Sequence, residues 1–147
     1  MKKPLLIIVI IATVLITSAV VWAFSPKKNL KPSEYNIGTT YELAIKDKKP
    51  IIALFYADWC TYCMRFMPKY KIIADVYKNK YNLVMIDAEN PKYATLVKDY
   101  SIEGFPTMYI IDPNIDNRIS LSNNIYDDLG KLRIEFDRYL RIRSMIK

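Results

Sequence analysis

The chain has 147 residues, 52% of them hydrophobic, and carries a formal net charge of +7 with no histidine. That length fits one domain rather than two, and the hydrophobic share exceeds the ~45–50% usual for soluble domains. The positive charge reads as a solvated basic surface able to sit near anionic lipid; clustered basic and aromatic residues of a nucleic-acid module are not found.

The hydrophobic excess has a local source. Leu5 to Phe24 is an uncharged run of 20 residues, which as a helix would match the roughly 30 Å hydrocarbon core of a bilayer. Residues 1–24 therefore read as an uncleaved signal anchor. A cleaved signal peptide, with Val21-Trp22-Ala23 as its site, would have a shorter apolar stretch of about 7–15 residues. A soluble helix apolar on every side would need a large protein around it. Lysines flank both ends, so the positive-inside count is nearly balanced. The short N-terminal tail is the easier side to keep in the cytoplasm, which puts the remainder outside, where disulfides form and persist.

Residues 25–36 (SPKKNLKPSEYN) hold prolines and lysines and read as a linker; the folded domain is expected over 37–147. Thr39 or Thr40 can cap a short helix to about Lys48, stopped by Pro50. Ile51 to Tyr56 is a continuous apolar run, the pattern of a strand covered on both faces. The segment after it, WCTYC, opens a helix expected to reach about Asn79, with a kink at Pro68. Leu83 to Ile86 forms a second buried strand, and Asn90-Pro91 starts a helix to about Tyr100. Thr107 to Ile111 and Arg118 to Leu121 make an antiparallel hairpin around the Asp112-Pro113-Asn114 turn. A last helix, Tyr126 to Met145, presents Leu129, Leu132, Phe136 and Leu140 on one face. Strands alternating with helices imply an α/β sandwich with a parallel core and an antiparallel edge.

Cys60 and Cys63 are the only cysteines. Two cysteines and no histidine fall short of a structural zinc site, and Met64 stands where haem attachment needs histidine. A purely structural disulfide would close a very short loop and stabilise little. Redox chemistry fits better. A thiolate attacks a disulfide, and Cys60 lies where a buried strand turns into a helix, whose free N–H groups and dipole favour an anion. Cys63, one turn on, can attack a mixed disulfide, and Trp59 and Tyr62 can shield the pair and dock a client.

Ala57-Asp58-Trp59-Cys60-Thr61-Tyr62-Cys63, with Pro68 and the distant Gly104-Phe105-Pro106-Thr107, resembles the thioredoxin superfamily over about residues 39–145. The resemblance implies a thioredoxin-like sandwich: a central mixed sheet of four to five strands flanked by helices. It implies an exposed nucleophile at Cys60, a buried resolving thiol at Cys63, a cis-proline at Pro106, and client pairing along the backbone of Phe105. Trp59, Thr61, Tyr62, Phe105 and Pro106 are thus the expected client-binding set, and no cofactor or metal is called for. Leu54 replaces the buried aspartate of thioredoxins and about Leu83 its lysine partner, leaving Asp58 or water to take the proton of Cys63. The expected activity is disulfide reduction or exchange in extracytoplasmic client proteins, on a bacterial cytoplasmic membrane, with electrons from a membrane thiol carrier. A membrane-anchored adaptor with incidental cysteines and a cytochrome c maturation thioredoxin are the alternatives.

Overall fold

The structure is a computed structural model that describes residues 7–8, 11–18 and 30–146. Residues 7–8 and 11–18 are helical and exposed; the rest of the Leu5 to Phe24 run, and with it the expected anchor, lies outside the described residues. Among the described residues no helix is long and apolar enough to cross a membrane.

From Leu30 onward the elements follow the expected order. They are α1 (Tyr41–Ala44), β1 (Ile51–Tyr56), α2 (Thr61–Tyr77), β2 (Asn82–Asp87), α3 (Ala94–Asp99), β3 (Thr107–Asp112), β4 (Asn117–Leu121) and α4 (Leu129–Ile146). Short 3-10 turns cover Pro32–Tyr35, Pro91–Tyr93 and Asn123–Ile125. The first falls inside the segment read as linker. Pro32 is buried, and Tyr35 and Ile37 pack on the core, so the folded unit begins before residue 37.

The four strands form one sheet in the order β2-β1-β3-β4. β1 runs parallel to β2 but antiparallel to β3, so the expected parallel core is a single strand pair. The cause lies in the connection. Tyr56 faces Asp87 at the end of β2, and Phe55 faces Thr107 at the start of β3, so the chain leaves β2 and enters β3 at the same end. The segment between them, helical only over the Pro91–Tyr93 turn and the six residues of α3, makes no net crossing of the sheet.

Alternation along β1 divides the core. Ile52 and Leu54 face a cluster with Met67, Tyr70, Leu132 and Phe136 of α2 and α4, while Ile51, Ala53 and Phe55 face one with Ala44 and Tyr100. All six side chains of β1 are buried, and each large apolar one contributes about 1.5–3 kcal/mol by leaving water. α2 continues through Pro68, which sits on its exposed side; the buried stripe of Cys63, Phe66, Met67, Tyr70, Ile73 and Tyr77 holds it against the sheet. The buried Tyr70 hydroxyl donates to the carbonyls of Ile52 and Val84, each at 3.0 Å, tying α2 across β1 and β2 behind the cysteine motif. Tyr70, Tyr77 and Tyr139 on the helices, and Tyr100 just after α3, are buried in the core.

The free edge of β2 is partly covered. Thr39 bridges Val84, its N–H donating to the Leu83 carbonyl at 2.9 Å. That approach requires Gly38, whose φ is +79° and where a Cβ would stand 1.9 Å from the Leu83 oxygen. At the far end of the sheet from the cysteines, the wholly buried Asp112 accepts from Arg143, Tyr139 and Asn114 and pins α4 to the β3–β4 turn.

Candidate active site

β1 ends at Tyr56, and after Ala57, Asp58 and Trp59 the chain enters α2 with Cys60 as its N-cap. The cap is made by sulfur. The Cys63 N–H donates to Cys60 Sγ at 3.1 Å, satisfying one of the free donors of the first turn. Both cysteines are free thiols. From the other side, the Cys60 thiol donates to the Phe105 carbonyl at 3.5 Å. The Phe105–Pro106 peptide bond is cis, and Thr107 Oγ1 closes the loop by donating to the Gly104 carbonyl at 2.7 Å.

The pair is more enclosed than expected. Cys63 is 0% exposed, and Cys60, anticipated as an exposed nucleophile, is only 4% exposed. Tyr56 and Ala57 pack against both, and Met85 and Phe105 close over the cluster. Burial pushes the Cys63 thiol well above the ordinary cysteine range, with its contact to Cys60 adding to the effect. The two thiols of the dithiol therefore stand in unlike environments.

The remaining expected residues surround this centre. Trp59 is 65% and Tyr62 71% exposed, and Thr61 is exposed at the first position of α2. Trp59 stands edge-on to Phe105, with ring centroids 6.1 Å apart. Asp58 is turned elsewhere. Its two carboxylate oxygens accept from the backbone N–H and hydroxyl of Ser33, at 3.0 and 2.7 Å, so its observed partner is the first folded turn of the chain rather than Cys63. Leu54 is fully buried between Met85 and Met108, and Leu83 is buried too; neither position holds an ionisable group.

Sequence reasoning missed several neighbours. Glu89 accepts from the Trp59 indole at 2.7 Å and so fixes the ring beside the cysteines. Phe66, Arg65, Asn123, Tyr126 and Asp127 join Tyr62, Phe105 and Pro106 around a groove of about 460 Å³. Only the fold brings these together, because Tyr126 lies more than sixty positions beyond Cys60 in the chain.

A dithiol that caps a helix beneath a cis-proline loop, on a mixed sheet between helices, defines a class of protein built for exchange between thiols and disulfides. The family model described as Thioredoxin matches residues 34–129, and the chain belongs to the thioredoxin family. It is 36% identical over 72 residues to "Thioredoxin-like protein HCF164, chloroplastic" of Arabidopsis thaliana, covering 49% of this chain and 28% of that protein. With "Thiol:disulfide interchange protein TxlA" of Synechococcus elongatus it shares 35% over 68 residues, covering 46% and 36%. With "Protein disulfide-isomerase A4" of Bos taurus it shares 34% over 85 residues, covering 57% and 13%. The matched part thus spans between 13% and 36% of the length of these relatives. Among solved structures, the thioredoxin Deadhead of Drosophila melanogaster superposes with a TM-score of 0.53 at 25% identity, over 64% of this chain and 87% of that one. The Trx4 domain of ERdj5 gives 0.54 at 21% identity, over 76% and 92%, a likeness of fold.

Proposed function

We propose that this chain is a thiol–disulfide oxidoreductase that reduces or exchanges disulfides of client proteins on the extracytoplasmic side of a membrane. The observation that carries the reading is the sulfur cap: Cys60 Sγ receives the Cys63 N–H at 3.1 Å and lies 3.5 Å from the carbonyl before the cis-proline. The names of two relatives, an interchange protein and a disulfide-isomerase, support it.

In the reducing direction the Cys60 thiolate attacks one sulfur of a client disulfide. A Cys60–client bond forms, and the other client sulfur leaves as a thiolate that takes up a proton. Cys63 then loses its proton and attacks Cys60 Sγ, so an intramolecular disulfide forms and the second client sulfur departs. Client disulfide plus protein dithiol become client dithiol plus protein disulfide, a transfer of two electrons. Because Cys63 is fully buried, its deprotonation belongs to the second step, with water as acceptor in the absence of an acid at Leu54. Trp59, Tyr62, Phe105 and Pro106 shape the client surface, with the Phe105 backbone pairing an extended client segment. The Leu5 to Phe24 run anchors the domain, and a membrane thiol carrier returns it to the dithiol.

Trapping tests this. In the full-length Cys63→Ser variant, client proteins should accumulate as mixed disulfides on Cys60, and Cys60→Ser should abolish them. A membrane-impermeant maleimide added to intact cells should label Cys60. Absence of trapped clients, together with no disulfide reductase activity of the wild-type chain on insulin, would overturn the reading; labelling only after lysis would overturn the location.

A further inference from the structure

The groove beside the dithiol has an uneven charge. Arg65 is exposed on α2, one turn beyond Tyr62, with its guanidinium 5.9 Å from that ring's centroid. No carboxylate pairs with it among the described residues. The groove's one acidic member, Asp127, is held by Lys69 at 2.7 Å. Apart from Asn123, the other walls are rings. Tyr126 turns its hydroxyl inward, accepting from the Met108 N–H at 2.7 Å and donating to the Leu121 carbonyl at 3.0 Å, and packs against Phe66 at 5.4 Å between centroids. An open cation therefore stands over an aromatic trough that leads away from Phe105 and Pro106. Across the dithiol the sign reverses, where Glu89 holds the Trp59 indole and Asp58 holds Ser33.

Resting on the exchange reading above, we propose that this groove selects extended client segments bearing a carboxylate side chain near the reacting cysteine, and that Arg65 is the specificity-determining cation. The spacing follows from the helix. Arg65 lies five positions after Cys60, about 7.5 Å along the axis, which an extended client covers in about two residues. The length of the arginine side chain widens the range to roughly two to four. Client aromatic or aliphatic side chains fill the ring-lined floor, and the acidic patch around Glu89 disfavours a client docked in the reverse direction. An exposed pair contributes modestly, so replacing attraction by repulsion should change exchange rates by about 2- to 30-fold.

The test uses the reduced full-length chain in detergent micelles and short peptides whose single cysteine is blocked as a mixed disulfide with mercaptoethanol. Glu, Gln or Lys is placed about three residues to either side of that cysteine, and peptide thiol release is followed in single turnover. On one side the rates should rank Glu above Gln above Lys, with the spread collapsing near ~1 M salt, where screening acts within about 3 Å. Arg65→Gln should flatten the ranking and Arg65→Glu reverse it, each rate being read relative to that of the Gln peptide with the same variant. Equal rates for all three peptides, or a ranking that survives Arg65→Glu, would overturn the proposal while leaving the exchange reading in place. No exchange with any peptide would instead remove the reading on which it rests.

Discussion

Replacing Arg143 by methionine should destabilise the domain by about 2–4 kcal/mol. Asp112 is 0% exposed and the Arg143 side chain 13%, so this is no surface pair of negligible worth. Arg143 Nε meets Asp112 Oδ2, and its Nη2 donates to the Lys48 carbonyl at 2.7 Å. Removing one partner of a buried pair costs about 3–5 kcal/mol because the other charge is left uncompensated. Here Asn114 and Tyr139 would still donate to the carboxylate, which lowers the figure. At roughly 4 °C per kcal/mol for a domain of this size, the melting temperature should fall by about 8–16 °C. The double variant Arg143→Met with Asp112→Asn should recover part of the loss, since both charges leave together. The pH dependence has a definite sign. Burial alone would raise the Asp112 pKa, but the hydrogen bonds from Arg143 and Asn114 outweigh it and hold it below the ordinary carboxylate value. A depressed folded-state pKa gives stability that is present above the unfolded value of about 3.9 and is lost as pH falls through the folded one. Urea denaturation followed by circular dichroism should show the wild-type advantage over Asp112→Asn constant at neutral pH and closing below about pH 4. An Arg143→Met change under about 1 kcal/mol would refute the reasoning, as would an advantage undiminished at about pH 2.

Three further outcomes are expected. Iodoacetamide at neutral pH should modify Cys60 before Cys63 in the reduced native chain, because burial raises the Cys63 thiol; mass spectrometry of timed, quenched digests reads the order. Asp58→Asn should weaken the Ser33 tether and cost about 1 kcal/mol in urea denaturation while leaving single-turnover exchange within about threefold; a proton-transfer role for Asp58 would instead lower it about a hundredfold or more. Gly38→Ala should cost at least about 2 kcal/mol by the same denaturation assay, since the added Cβ meets the Leu83 carbonyl at a positive φ.

From Leu30 onward the order of elements was legible because the apolar runs of the sequence became buried strands or helix faces. Ile51 to Tyr56 reads as a strand covered on both sides and is one, and the two cysteines, alone in the chain, stood out without any structure. What failed to show was set by tertiary geometry. Strand direction depends on which end of the sheet a connection returns to, and the composition of residues 88–106 carries no such signal. The Pro32–Tyr35 turn was hidden because prolines and lysines mark linkers on average, whereas here Pro32 is buried and Ser33 binds Asp58. The same contact gives Asp58 a partner 25 positions away, Ser33, which its place beside Cys60 in the sequence does not reveal. The enclosure of Cys60 arises from Phe105 and Met85, contributed by other parts of the chain. Glu89 and Arg65 carry no motif at all, and only their distances from Trp59 and Tyr62 give them meaning.

The most direct measurement of the exchange function is an equilibrium redox titration of the full-length chain, with the Cys60–Cys63 disulfide quantified by alkylation and mass. An exchange dithiol gives one reversible intramolecular couple, with a tenfold change in the oxidised-to-reduced ratio for each ~30 mV; a midpoint near about −270 mV marks a reductant and one near about −120 mV an oxidant. A pair that stays reduced across that whole range, or that oxidises only between molecules, would contradict it.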